Sequence, residues 1–198
     1  MQFIKLNKKF DVGNFLELNI DIKDYLLVDP SLLLNSKTIM TYYPWHEIIS
    51  SELIKKLNSA VMTPIDYCAT FITNPNYTLN IHSDNGNADG RTIWAINFVI
   101  NSNDHTMIWY KTNSPPIRKI NDIGISYWHY DLDSVSVDQQ QRIHSALVRT
   151  DIPHNVINND NINQRLCISL RSSKSKFSWD EVYDKFLGSE FVSTEVSI

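Results

Sequence analysis

Three side chains in this sequence have the types and spacing needed to hold one metal ion. His82 and Asp84 flank Ser83. In an extended strand, side chains two apart face the same way, so both would project together as two ligands. The third ligand must come from elsewhere, and His154, set between Pro153 and Asn155, is the best candidate. Two neutral imidazoles and one carboxylate on one face of an ion leave its other positions open, which suits a ferrous ion that handles oxygen. A bidentate oxoacid would fill two of those positions and leave one for O2. Its far carboxylate would then need a fixed cation. Arginine suits that role, because its planar fork bonds a carboxylate in two places and keeps its charge. Arg165 lies 11 positions after His154. Arg165, Cys167, Ser169 and Arg171 alternate with Leu166, Ile168 and Leu170, so this segment reads as a strand with one polar and one apolar face.

The elements that must position these residues are mostly strands. From residue 67 onward, short apolar segments follow one another, each bounded by Asn, Asp, Gly or Pro. The reading gives strands over residues 67–73, 77–82, 91–100, 107–111, 145–150, 154–157 and 165–171, with extended chain over 123–130. Residues 74–76 read as a turn, 85–90 as a loop of residues that tolerate left-handed backbone, and 115–122 as irregular. This rhythm predicts a mainly β fold, an antiparallel sandwich or barrel. Flanking helices complete it. Pro44 introduces Trp45, Ile48, Ile49, Leu53 and Leu57 at helical spacing, which predicts one amphipathic helix of about three turns. Ser178 to Glu181 fits a capping box, and Val182, Tyr183, Phe186 and Leu187 follow on one face, predicting a helix that ends at Gly188. The expected organisation is a single domain over 1–198. Strands and a supporting helix occupy 1–66, the β core 67–171, and a helix and tail 172–198.

Composition narrows the function classes. The chain has 198 residues, 42% hydrophobic and 20% charged, with a formal net charge of -4. The sequence pI is about 5.8. That balance argues against a nucleic-acid partner or an anionic membrane surface. Cys68 and Cys167 lie far apart, outside any paired spacing, so a reducing, cytoplasmic setting is expected. Residues 1–15 carry lysines but no apolar stretch of signal-peptide length, and no run approaches the ~18 apolar residues of a membrane span.

The ordered set His82, Asp84, His154 and Arg165 resembles the HxD…H…R pattern of the Fe(II)/2-oxoglutarate-dependent oxygenases. The resemblance covers roughly residues 67–171. Residues 91–98 and 107–110 are similar to segments of small bacterial and phage members near the aspartyl/asparaginyl β-hydroxylase branch. The resemblance implies a double-stranded β-helix, or jelly roll, that couples decarboxylation of 2-oxoglutarate to succinate and CO2 with hydroxylation of a second substrate. It implies that His82, Asp84 and His154 bind iron, that Arg165 holds the distal carboxylate of 2-oxoglutarate, and that Arg91 approaches the same co-substrate. Its partners would be O2, 2-oxoglutarate and a protein, peptide or small-molecule substrate. A peptidyl Asp, Asn or Pro residue comes first, then a free amino acid. Many members carry RxS, whereas Cys167 stands two residues after Arg165 here, which leaves Ser169 and Asn97 as candidates for a second carboxylate contact.

Two other readings stand beside this one. A catalytic zinc also takes two histidines and a carboxylate, but the chain lacks the HExxH helix of a zincin. A non-catalytic jelly-roll module would keep the fold without the chemistry. His46, His105, His129 and His144 lack matching partners and read as structural or exposed. The run from Tyr127 to Tyr130 reads as an aromatic strand packed in the sandwich rather than a stacking platform for bases, and Cys167 as a small buried apolar residue.

Overall fold

Alternation along the strands decides which face of each sheet is covered by what. In the computed structural model, which describes residues 13–35, 40–84, 93–121, 124 and 126–192, the chain opens with strand β1 (Phe15–Glu17), helix α1 (Pro30–Leu34) and strand β2 (Met40–Tyr43). Helices α2 (Trp45–Ile48) and α3 (Ser51–Val61) lead to β3 (Tyr67–Thr73), β4 (Tyr77–Thr78), β5 (His82–Ser83), β6 (Trp94–Ile100) and β7 (His105–Thr112). The ribbon of β8 (Ile117–Ile120) and β9 (Ser126–His129) precedes β10 (Val135–Gln141), β11 (Ser145–Arg149), β12 (His154–Asn158), β13 (Arg165–Arg171) and the closing helix α4 (Trp179–Leu187).

The strands form two antiparallel sheets. One has the order β1-β11-β6-β13-β3-β2; the other runs β10-β7-β12-β5-β9-β8, with β4 also on β12. Setting aside the additions at the edges, the pairing is nested. β3 pairs with β13, β5 with β12, β6 with β11, and β7 with β10. First meets last, second meets second-last, and so inward.

Each face of the first sheet has its own core. Ile96 and Phe98 of β6, Leu147 of β11, and Leu166, Ile168 and Leu170 of β13 turn outward onto Leu53, Leu57 and Val61 of α3 and Val182 and Phe186 of α4. The opposite faces of the same strands send Ala95, Ala146 and Val148 inward, against Met107 and Trp109 of β7 and Val156 of β12. β6 is therefore buried along its whole length, and both faces of β13 are committed, one to the helices and one to the interior between the sheets.

The predicted single helix from Trp45 to Leu57 is instead two. Ile49 is extended (φ -122, ψ 141) and bridges Leu26. The Ser50 amide donates to the Tyr25 carbonyl at 2.9 Å and the Leu27 amide to the Ile48 carbonyl at 2.9 Å. A tertiary strand contact thus overrides local periodicity, and Ser50 then caps α3. α3 continues past Leu57 until Met62 turns left-handed at φ 53. The segment read as irregular forms β8, and β10 lay outside the predicted strands altogether. The segment 77–82 is broken into two short pieces, whereas α4 and its reciprocal capping box fall where the sequence placed them. Arg91, the loop 85–90, Ile123, and the tail from 193 onward lie outside the described residues. No helix among those described is long and apolar enough to cross a membrane.

Candidate metal centre

β5 is only two residues long, yet it is held on both sides. His82 stands directly opposite His154 on β12 and opposite His129 on β9. Direct partners in an antiparallel pair share a face, so the register alone brings the two imidazoles together, with ring centroids 4.6 Å apart. Asp84 follows just beyond the strand, where its amide donates to the Thr150 carbonyl at 2.9 Å. Its Oδ1 then lies 3.5 Å from His82 Nε2 and 4.0 Å from His154 Nε2. The ligand atoms of His82, Asp84 and His154 all lie within 4.8 Å of one another. Ligands about 2.1 Å from an ion and at right angles to each other sit about 3 Å apart, so a modest contraction would close them round a divalent cation.

The orientation of both rings is fixed from behind. His82 Nδ1 donates to the Asn80 carbonyl at 2.8 Å, and His154 Nδ1 to the Ile152 carbonyl at 2.9 Å. Those contacts select the tautomer whose Nε2 lone pair points at the cluster, the outer arrangement that metal-ligating histidines use. Burial and the neighbouring His82 lower the His154 pKa to about 4, so this imidazole is neutral at pH 7. Burial also disfavours the charged form of His82, but the hydrogen bond and charge of Asp84 outweigh it, and its pKa is raised. Asp84 responds to the same balance in reverse. Burial opposes its charge, yet the Arg171 guanidinium and the two imidazoles hold its carboxyl well below the usual range.

β13 supplies the opposite wall. Arg165, Cys167 and Arg171 line one cavity together with His82, Asp84, His154, Asn97 and Phe71. The polar face read from alternation is thus the face turned towards the cluster, while Leu166, Ile168 and Leu170 pack outward. The turn that carries the chain from β12 to β13 is pinned by Asn158, whose amide donates to the carbonyls of Thr73, Asn74 and Asn163 at 2.9–3.1 Å. This fixes Arg165 relative to His154.

Arg165 is 3% exposed. No ion pair joins it to an acid among the described residues, and its Nε has no hydrogen-bond partner. Burial lowers its pKa, the Cys167 contact opposing the shift. Asn97 Oδ1, on the same cavity, is also buried and unpartnered. Ser169 is otherwise engaged, since its hydroxyl accepts from Arg171 Nε at 3.0 Å.

Arg171 is the residue beside this cluster that sequence reasoning passed over. Its Nη1 donates to Asp84 Oδ2 at 2.5 Å. The signal was present, because Arg171 shares the polar face with Arg165. Nothing in the spacing said that it would meet a ligand 87 residues earlier. Of the other histidines, His46 and His144 are exposed. His105 is buried with its ring nitrogens on the Ser102 and Ile143 carbonyls, and His129 lies 3.5 Å from Asp131. Tyr130 and Trp128 pack with Ile81 and Ile108 as an aromatic strand should. Both cysteines are free and buried.

The group of His82, Asp84 and His154 could thus hold a metal ion. No protein-family model and no curated protein matches this sequence.

Proposed function

We propose that this protein is a non-haem Fe(II)/2-oxoglutarate-dependent dioxygenase on a jelly-roll frame. The nested pairing supports the frame, since a long ribbon folded back on itself and rolled up gives this strand order. One observation carries the chemical reading. A guanidinium buried without an acidic partner among the described residues faces the same cavity as the His–Asp–His cluster. Burying an unpaired charge is costly, so such a cation implies an anion that arrives from outside.

The donor set fits a ferrous ion, because it offers two imidazole nitrogens, one carboxylate oxygen and no thiolate. His82, Asp84 and His154 would hold it. When bound, Fe(II) with 2-oxoglutarate and O2 supplies oxidative decarboxylation to succinate and CO2, coupled to hydroxylation of a C–H bond in a second substrate. Arg165 would receive the distal carboxylate of 2-oxoglutarate through its fork, and the Asn97 amide faces the same space. Phe71, Leu79, Met107 and Val156 line the remainder, and such an apolar wall strengthens charge interactions beside it. Tyr127, its ring edge-on to His82 at 6.1 Å, would stand beside a bound second substrate. A peptidyl Asp, Asn or Pro residue is the first class to assay, and free amino acids the next.

The test is anaerobic titration of the metal-free protein with Fe(II) and then 2-oxoglutarate, followed by oxygen-dependent succinate release, on wild type and His82→Ala. Wild type is expected to bind both, and His82→Ala to lose the metal. A folded wild type that binds neither sinks the proposal.

A further inference from the structure

The Asp84 carboxylate has two oxygens, and the structure assigns them different partners. Oδ1 faces both histidines at 3.5 and 4.0 Å, whereas Oδ2 accepts from Arg171 Nη1 at 2.5 Å. Arg171 is itself held by two further contacts and by burial. Its Nε donates to Ser169 Oγ at 3.0 Å, its guanidinium lies 5.7 Å from the centre of the Phe71 ring, and its side chain is only 12% exposed. A guanidinium so constrained cannot swing away to release Oδ2, and charge-assisted contacts of this kind are among the strongest hydrogen bonds.

Resting on the metal reading above, we propose that Arg171 is a positioning residue that restricts Asp84 to ligation through one oxygen. A carboxylate can clamp an ion with both oxygens, and doing so would consume one further coordination position. With Oδ2 held by Arg171, the protein contributes three ligand atoms and leaves about three positions of an octahedral ion open. A chelating oxoacid and O2 together need that number. Arg171 touches no substrate on this account; it acts through Asp84.

The count of open positions can be read without turnover. Mn(II), an oxygen-tolerant stand-in for Fe(II), reports its number of exchanging waters through the relaxation of bulk water protons. Wild type loaded with Mn(II) alone is expected to show about three coordinated waters. Arg171→Gln and Arg171→Met free Oδ2 and are expected to show about two; the methionine variant also keeps an apolar stem against Phe71, in case the glutamine variant does not fold. Arg171→Lys restores a cation and is expected to return the count towards that of wild type. Ser169→Ala loosens Arg171 but leaves its pair with Asp84, and should keep the wild-type count. A purely structural role would instead move the thermal midpoint and leave the count unchanged in every variant.

An unchanged count in the folded Gln or Met variant overturns the inference, as does a drop in Ser169→Ala equal to theirs. A wild type that binds Mn(II) with fewer than about three waters overturns it too, while leaving the metal centre standing. A wild type that binds neither Mn(II) nor Fe(II) overturns both.

Discussion

Replacing Arg165 by Met separates the two things a buried cation does. In the ligand-free protein the guanidinium is 3% exposed, with an unpartnered Nε and no ion pair to an acid among the described residues. Removing it takes away an uncompensated buried charge and leaves a side chain of similar reach. The metal-free variant should therefore be as stable as wild type or more so. Binding should move the other way. With 2-oxoglutarate in place, the variant leaves a desolvated carboxylate facing apolar side chains, and breaking a buried charge pair costs about 3–5 kcal/mol. At about 1.4 kcal/mol per decade, that is a loss of roughly 140- to 3,700-fold in affinity. The assay is anaerobic calorimetry of 2-oxoglutarate binding to the Mn(II)-loaded protein, paired with urea denaturation of the metal-free form. Arg165→Lys should fall between, since it keeps a charge but loses the fork. The reasoning is refuted if Arg165→Met binds 2-oxoglutarate within about threefold of wild type. It is also refuted if the metal-free variant loses about 3 kcal/mol or more, because Arg165 would then already have a structural counter-charge.

Metal binding should release a proton from His82 below its titration and none from His154, since ligating imidazoles must be neutral. His154, lowered to about 4, has already lost its proton, whereas the raised His82 still carries one below its folded pKa. Affinity should accordingly rise with pH through the His82 titration and flatten above it, which calorimetry in two buffers of different ionisation enthalpy will show. His154→Ala should abolish metal binding while the protein stays folded; retention of one tightly bound ion would mean that a different third ligand is used. Leu57→Ala should cost about 2–5 kcal/mol by urea denaturation, because Leu57 is fully buried beneath the outer face of the first sheet. Ser178→Ala should cost about 1 kcal/mol, because it removes one half of a reciprocal capping box.

Much of the site was legible in the sequence, for reasons that differ from residue to residue. Period-2 alternation along β13 placed Arg165 and Cys167 on the inner face, and burial of Leu166, Ile168 and Leu170 under the helices made that assignment unavoidable once the strand existed. The joint projection of His82 and Asp84 was sound although the strand is barely two residues long, because β12 and β9 hold it from both sides. Pairings across long separations were not legible. Nothing local says that Arg171 will bind Asp84, or that Ser169 will serve Arg171 rather than a co-substrate. The same limit explains the helix that became two, since Ile49 has helical spacing but is claimed by Leu26. β8 and β10 eluded prediction because they are largely exposed, with polar residues on both faces, so no core imposes an apolar period on them.

The charges round the cavity bear on which chemistry the proposed site suits. Among its lining residues there is one carboxylate, Asp84, and there are two guanidinium groups. Asp84 is committed twice, Oδ1 towards the imidazoles and Oδ2 to Arg171, so it has no free oxygen to take a proton from a bound water. The Cys167 thiol, raised by burial against the opposing pull of Arg165 and Arg171, stays protonated and is no base either. A hydrolytic metal centre needs both an activated water and a proton acceptor beside it, and among the described residues those lining this cavity supply no such acceptor. An excess of positive charge is what they do supply. A divalent ion would add to the two arginines and leave the site cationic by about three charges, a balance that a dianionic chelate reduces to about one. On the proposed metal reading, this charge balance is a stronger argument for an oxoacid co-substrate than the ligand triad, which other metals share.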